Sequence, residues 1–214
     1  MRIIKRFPFT ICMGITVLLI GLMSATAWDR IDSTTIKLFG LSPNHVYAFN
    51  LYRLITSAFL THGGIIFWRA WTMLCACLFW CEYTAGTRKA LAAFWLGHAA
   101  TILLVSWVVV PIVLLARPQA GDLIVVASDV GPSAGYIACL ALAVVSIRSA
   151  RDRMLVWSVI ASVLVGLILM RTHLLQTKPA FWLADVSHLV SFLITSGSLF
   201  AWDFLRSTKA NPKR

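Results

Sequence analysis

The chain has 214 residues, of which 59% are apolar and only 13% charged, with mean hydropathy +0.83 and a formal charge of +11. Soluble domains run about 45–50% apolar and about 25% charged, so a water-soluble globule and a disordered chain are both excluded, and five cysteines are too sparse for a disulfide scaffold. An integral membrane protein remains, and its basic excess is read as topology rather than as nucleic-acid binding.

A spanning helix takes about 20 residues, so six spans use about 120 and leave no room for a second soluble domain. Six apolar stretches are predicted as spans, at about 9–28, 65–85, 90–116, 131–147, 155–172 and 180–202. The first has a basic start and a signal-like Ala25-Thr26-Ala27, but its apolar core of nearly 20 residues exceeds the about 7–15 of a signal peptide. It is read as a retained span. The stretch that follows, about residues 29–64, is a long external loop carrying Ile36, Leu38, Phe39, Val46, Tyr47 and Phe49. A loop so apolar is expected to pack against the bundle or to lie in the interface as short amphipathic helices.

In the second span, Cys75, Cys77 and Cys81 are read as small hydrophobes, since no further ligands complete a four-ligand metal set. His98 falls in the third span, by count nearer the cytoplasmic side, where helix–helix hydrogen bonding is its expected role. Basic residues cluster before span one (Arg2, Lys5, Arg6) and after span two (Arg88, Lys89). They recur after span four (Arg148, Arg151, Arg153) and span six (Arg206, Lys209, Lys213, Arg214). That places twelve of nineteen on one side, so both termini are predicted to be cytoplasmic. Trp28, Trp157, Trp182 and Trp202 fall near span ends, where an interfacial aromatic belt forms.

The run Gly131-Pro132-Ser133-Ala134-Gly135 contains a G-x-S-x-G, and Leu123–Ala127 reads as a strand before it. A nucleophile elbow of the α/β-hydrolase kind needs a central sheet that the rest of the chain does not offer. Depth in the membrane gives another use for the serine. Ser133 falls near the outer end of the fourth span, and His188 is eight residues into the sixth, about 12 Å along a helix. Both are expected in the outer third of the bilayer, where an intramembrane ionisable residue is a functional candidate.

These segments, Gly131–Gly135 opening the fourth span and Ser187-His188 in the sixth, resemble the rhomboid family of intramembrane serine proteases. Tyr52-Arg53-Leu54 resembles the family's Trp-Arg stretch before the second span, and Glu82 followed by Gly86 resembles its Glu-x-x-x-Gly turn. The likeness covers about residues 10–205. It implies an all-α integral membrane protein, a six-transmembrane-helix bundle with a long first external loop, formed as one domain with a basic cytoplasmic tail at 203–214. Ser133 would then be the nucleophile and His188 the base of a Ser-His dyad, with no cofactor or metal. Gly131 and Gly135 would clear space for substrate backbone and the sixth helix, the small face Ser187, Ser191 and Thr195 would pack on the fourth, and Arg53, Glu82 and Gly86 would be structural. Asp185, three residues before His188, either orients the imidazole or serves as an interfacial or capping carboxylate. Tyr136 is one residue short of the place where the family stacks an aromatic on its histidine, which Ile137 holds, and is the candidate for that role.

Active rhomboids carry a His-x-x-x-Asn pair on the second span to bind the oxyanion. Those places fall at Ile66 and Ala70, or with a register shift at Trp68 and Thr72. No register supplies the pair, and only Thr72 or His62 could compensate. The leading expectation is an intramembrane endopeptidase acting on membrane-protein clients in a prokaryotic cell membrane. A rhomboid-like pseudoprotease that binds clients without cutting them is the alternative. A small transporter or channel fits less well, because no inverted repeat is visible.

Overall fold

The computed structural model describes residues 6–210, and nearly all of its regular structure is helical. Among the described residues there is no strand, only two isolated bridges, Arg30 with Gly63 and Leu41 with Asp129. The elements in chain order are α1 (Pro8–Met23), three short helices α2 (Ser33–Phe39), α3 (Pro43–Tyr47) and α4 (Arg53–Thr56), then α5 (Ile65–Ala85) and α6 (Thr87–Ala116). They continue with α7 (Pro118–Val126), α8 (Ser133–Val145), α9 (Ala150–Met170) and α10 (Pro179–Ala210). Arg2 and Lys5 of the basic clusters, and residues 211–214 of the tail, lie outside the described residues.

Four of these helices, α5, α6, α9 and the 179–202 part of α10, are long and apolar enough to cross a membrane. The six-span count is therefore corrected at α1 and α8, which are apolar but shorter. The 13 residues of α8 reach only about 20 Å at 1.5 Å per residue, against a hydrocarbon core of about 30 Å. Gly131-Pro132 stops the helix at one end, and at the other Ser146 donates its hydroxyl back to the Leu142 carbonyl at 2.8 Å. Eleven of the 13 residues are buried, so α8 meets protein where a spanning helix would meet lipid. It is the centre of the bundle, packed on α5, α6 and α10.

Small residues let α6 and α8 approach closely. A Cβ on Gly97 would come within 2.3 Å of Ala138 Cβ, and one on Gly135 within 2.6 Å of the Phe94 ring. The close approach at Gly135 is thus to α6, not to the sixth span as expected. The contact between α8 and α10 is made instead by Ser191, whose hydroxyl donates to the Ala134 carbonyl at 2.6 Å.

Further corrections follow from local chemistry. Residues 123–126, read as strand, are helical and end α7. Within α6 the ladder loosens into a π-turn over Val105–Val109, just ahead of Pro111, whose ring cannot accept the regular i−4 geometry. The basic tail begins as helix, since α10 continues through Ala210.

The N-terminus of α1 is anchored by Glu82 near the end of α5. Its carboxylate accepts from Phe9 N–H (3.1 Å), Thr10 N–H (2.9 Å), the Thr10 hydroxyl (2.7 Å) and the Thr87 hydroxyl (2.7 Å). These bonds satisfy helix-start donors that lipid cannot. Gly86 completes the turn at φ +85°, a left-handed conformation that a side chain resists. Along α1, Trp71 Nε1 donates to the Gly14 carbonyl at 2.9 Å and Phe67 fills the space at Gly21. In the long segment before α5, Arg53 is buried and its Nη1 donates to the Lys37 and Gly40 carbonyls at 2.9 and 2.7 Å.

Candidate functional site

Ser133 is the first residue of α8, and the loop before it is fixed from two sides. Gly131 N–H donates to the Ser57 carbonyl at 2.9 Å, while Asp129 and Leu41 exchange backbone bonds of 2.8 and 3.0 Å. Gly131 has φ +151°, and a Cβ there would meet nothing nearer than Ser133 Oγ at 3.8 Å. Glycine is required by the backbone conformation, then, and not by crowding. The first ladder bond of α8 runs from Tyr136 N–H to the Pro132 carbonyl, which leaves the N–H groups of Ser133, Ala134 and Gly135 ahead of it.

Ser133 and His188 line one cavity of about 410 Å³, together with Gly131, Tyr136, Asp129, Asp185 and Arg171. His188 Nε2 is buried without a hydrogen-bond partner, and among the described residues no hydrogen bond joins it to Ser133. Ile66 and Ala70, the two places counted for the His-x-x-x-Asn pair, line the same cavity with apolar side chains. Thr72 does not line it. It faces a neighbouring groove of about 670 Å³ between α5 and α9, which His188 and Tyr136 also reach.

The charged groups around the cavity are mostly paired. Arg171, at the end of α9, donates to both carboxylate oxygens of buried Asp185 at 3.2 Å. Asp185 therefore ties α9 to α10, and no hydrogen bond connects it to His188. His62 Nε2 lies 3.0 Å from Asp129 Oδ1, and the His62 ring sits against Phe181. Burial pulls the His62 pKa down, but the Asp129 hydrogen bond and charge outweigh it and hold the value above the usual histidine range.

One residue was misplaced by sequence reasoning. His98, counted as remote from the dyad, lines a smaller cavity of about 60 Å³ behind Ser133, with Ser57, Ser106, Asp129 and Ser187. Its Nε2 lies 3.0 Å from the Leu54 carbonyl, and its Nδ1 is buried without a partner. The count failed because α8 is short: Ser133 starts deep in the bundle, level with the middle of α6. Gly97 beside His98, opposite Ala138, was the signal that these two helices touch here.

Comparison of the chain with protein-family models, with curated proteins and with solved structures finds no match.

Proposed function

We propose that this membrane protein is a rhomboid-like intramembrane serine endopeptidase, cleaving a peptide bond in or near a client's transmembrane segment. The observation that carries the reading is the shared cavity: a serine at a helix start and a histidine with an unpartnered buried nitrogen reach it from different helices. Ser133 Oγ attacks the carbonyl carbon while His188 takes its proton. The oxyanion is met by N–H groups in the first turn of α8, where the helix dipole favours negative charge. Collapse of the tetrahedral species breaks the C–N bond, and His188 returns the proton to the leaving amine. Water then hydrolyses the acyl-enzyme by the same route, and no cofactor or metal enters.

The client enters through the groove between α5 and α9. Trp68, Met73, Ile137, Leu140, Ile160 and Leu164 line it, an apolar surface suited to a lipid-borne helix. Its segment unwinds locally, because a helical backbone shields its own carbonyls. The four helices long enough to cross are an even number, which agrees with both termini lying on one side, and the basic clusters favour the cytoplasm of a prokaryotic cell.

A second reading, a pseudoprotease that binds clients without cutting, is favoured by one observation. Ile66 and Ala70 present no donor at the cavity wall where the family has two. Labelling of purified protein with a fluorophosphonate separates the readings. Labelling of wild type that disappears in Ser133→Ala and His188→Ala supports the protease, and three folded but unlabelled proteins would overturn it in favour of client binding.

A further inference from the structure

The cavity wall carries a cation that nothing in the dyad chemistry uses. Arg69 is one helical turn into α5, between Ile66 and Ala70, and lines both the cavity and the groove between α5 and α9. Its guanidinium has no hydrogen bond, ion pair or ring partner among the described residues. The other charged side chains on the cavity are Arg171, Lys178, Asp129 and Asp185, with His62 and His188 as further titratable groups. Both carboxylates are taken, Asp185 by Arg171 and Asp129 by His62. Arg69 and Lys178 are both exposed, but only Arg69 lines the groove, where it is the cation left without an ion-pair partner among the described residues.

Exposed about one turn into α5, the Arg69 guanidinium is accessible to an anion beside the groove. Its planar fork of donors fits a carboxylate bidentately. The groove supplies contacts for an apolar helix, and the cavity supplies the serine and the histidine. A peptide passing from one to the other runs by Arg69.

We propose that Arg69 is a specificity residue that selects clients bearing an Asp or Glu close to the segment presented to Ser133. This rests on the client-binding part of the reading above and not on cleavage. The carboxylate, and not a lipid phosphate, is the ligand assigned, because Arg69 shares its cavity with the residues that would meet the client backbone.

The test is a binding measurement with Ser133→Ala protein in nanodiscs of phosphatidylcholine. Three labelled transmembrane peptides are compared, identical except for Asp, Asn or Lys at one position near the outer end. The Asp peptide is expected to bind about tenfold more tightly than the Asn peptide, the worth of a charge-assisted hydrogen bond, and the Lys peptide more weakly than either. Adding Arg69→Gln removes the preference, whereas Arg69→Lys keeps part of it, with thermal midpoints confirming that both variants fold. Equal affinities for the three peptides, or a preference that survives Arg69→Gln, overturn the proposal. So does an Arg69-dependent affinity for phosphatidylglycerol without any peptide preference, which would assign the site to headgroups. Fluorophosphonate labelling distinguishes the two failures. Labelled protein with no Asp preference sinks only the specificity role, and an Asp preference in unlabelled protein sinks only the protease.

Discussion

Ser133 on α8 and His188 on α10 face one cavity, and among the described residues neither side chain is bonded to the other. If His188 is the base proposed above, an imidazole held this way has no competing partner to release before taking the serine proton, and catalytic hydrogen bonds commonly tighten only when substrate arrives. His188→Ala is therefore expected to slow phosphonylation of Ser133 by about 10²–10⁴, the usual worth of a general base. Stopped-time labelling against wild type reads the ratio. A variant that reacts at the wild-type rate would show that the imidazole is a spectator.

The second prediction concerns the apolar wall of α5 on the cavity. Ile66 and Ala70 line the cavity with Ser133, and they are four residues apart on one face of α5. Ile66→His combined with Ala70→Asn places two donors where the wall is now apolar. One oxyanion donor is worth about 10²–10³ in a soluble serine protease, so a gain of at least about tenfold is expected after losses to imperfect geometry. The readout is the single-turnover rate of Ser133 modification. No gain in a folded double variant would mean that the backbone N–H groups of α8 already do this job.

A third concerns pH. The folded His62 pKa is raised above its ordinary 6.5 by Asp129, against the opposing effect of burial. The stability this pair contributes is full below about pH 6.5 and fades as pH rises through the folded value. Thermal midpoints across about pH 5.5–8.5 should fall more for wild type than for His62→Gln. Parallel profiles would remove the pair from the stability balance. The pair joins the end of the long loop to the strap before α8, so its loss loosens the rim of the cavity first.

A fourth concerns the carboxylate that fastens α1. Glu82 accepts four bonds, two of them from main-chain N–H groups of Phe9 and Thr10. Glu82→Ala leaves those donors without partners inside the protein, and a loss of about 2–4 kcal/mol is expected from several orphaned polar groups together. Glu82→Gln keeps acceptor capacity and should lose less. Unfolding in mixed micelles gives both values, and equal losses would contradict the hydrogen-bond account.

The sequence was most legible where apolar runs were long. α5, α6, α9 and most of α10 follow directly from hydropathy, because a lipid-facing helix must be apolar over its whole length. It was least legible at α8. That helix is enclosed by protein, so its length is set by Gly131-Pro132 and Ser146 and not by bilayer thickness. Depth counted from its ends was therefore wrong, and His98 was set apart from Ser133 although both border one cavity. The motif reading singled out Ser133, His188, Ile66 and Ala70, all of which line one cavity. It said nothing of Arg69, because an arginine within an apolar span carries no motif and declares itself only by what surrounds it.

The last prediction tests whether the floor of the site is as rigid as its packing implies. A Cβ on Gly135 would lie 2.6, 2.7 and 2.8 Å from three atoms of the Phe94 ring. The ring is fully buried, held edge-on by Phe9 and Trp95 and stacked on His98, so it has nowhere to withdraw. Gly135→Ala should cost about 1–3 kcal/mol through overpacking, outweighing the gain of up to about 1 kcal/mol that alanine brings to a helix. Gly166 on α9 is the control, since a Cβ there meets nothing within 4 Å, and Gly166→Ala should be neutral or stabilising. If the clash is with Phe94, then Phe94→Leu should recover part of the loss in the double variant, a non-additivity of contacting residues. Gly135 is two residues from Ser133, so a displaced α8 also moves the Ser133 hydroxyl. Labelling of Ser133 in Gly135→Ala should fall more than the unfolded fraction alone explains. Labelling that follows the folded fraction would mean that the helix start moves independently of the packing beneath it.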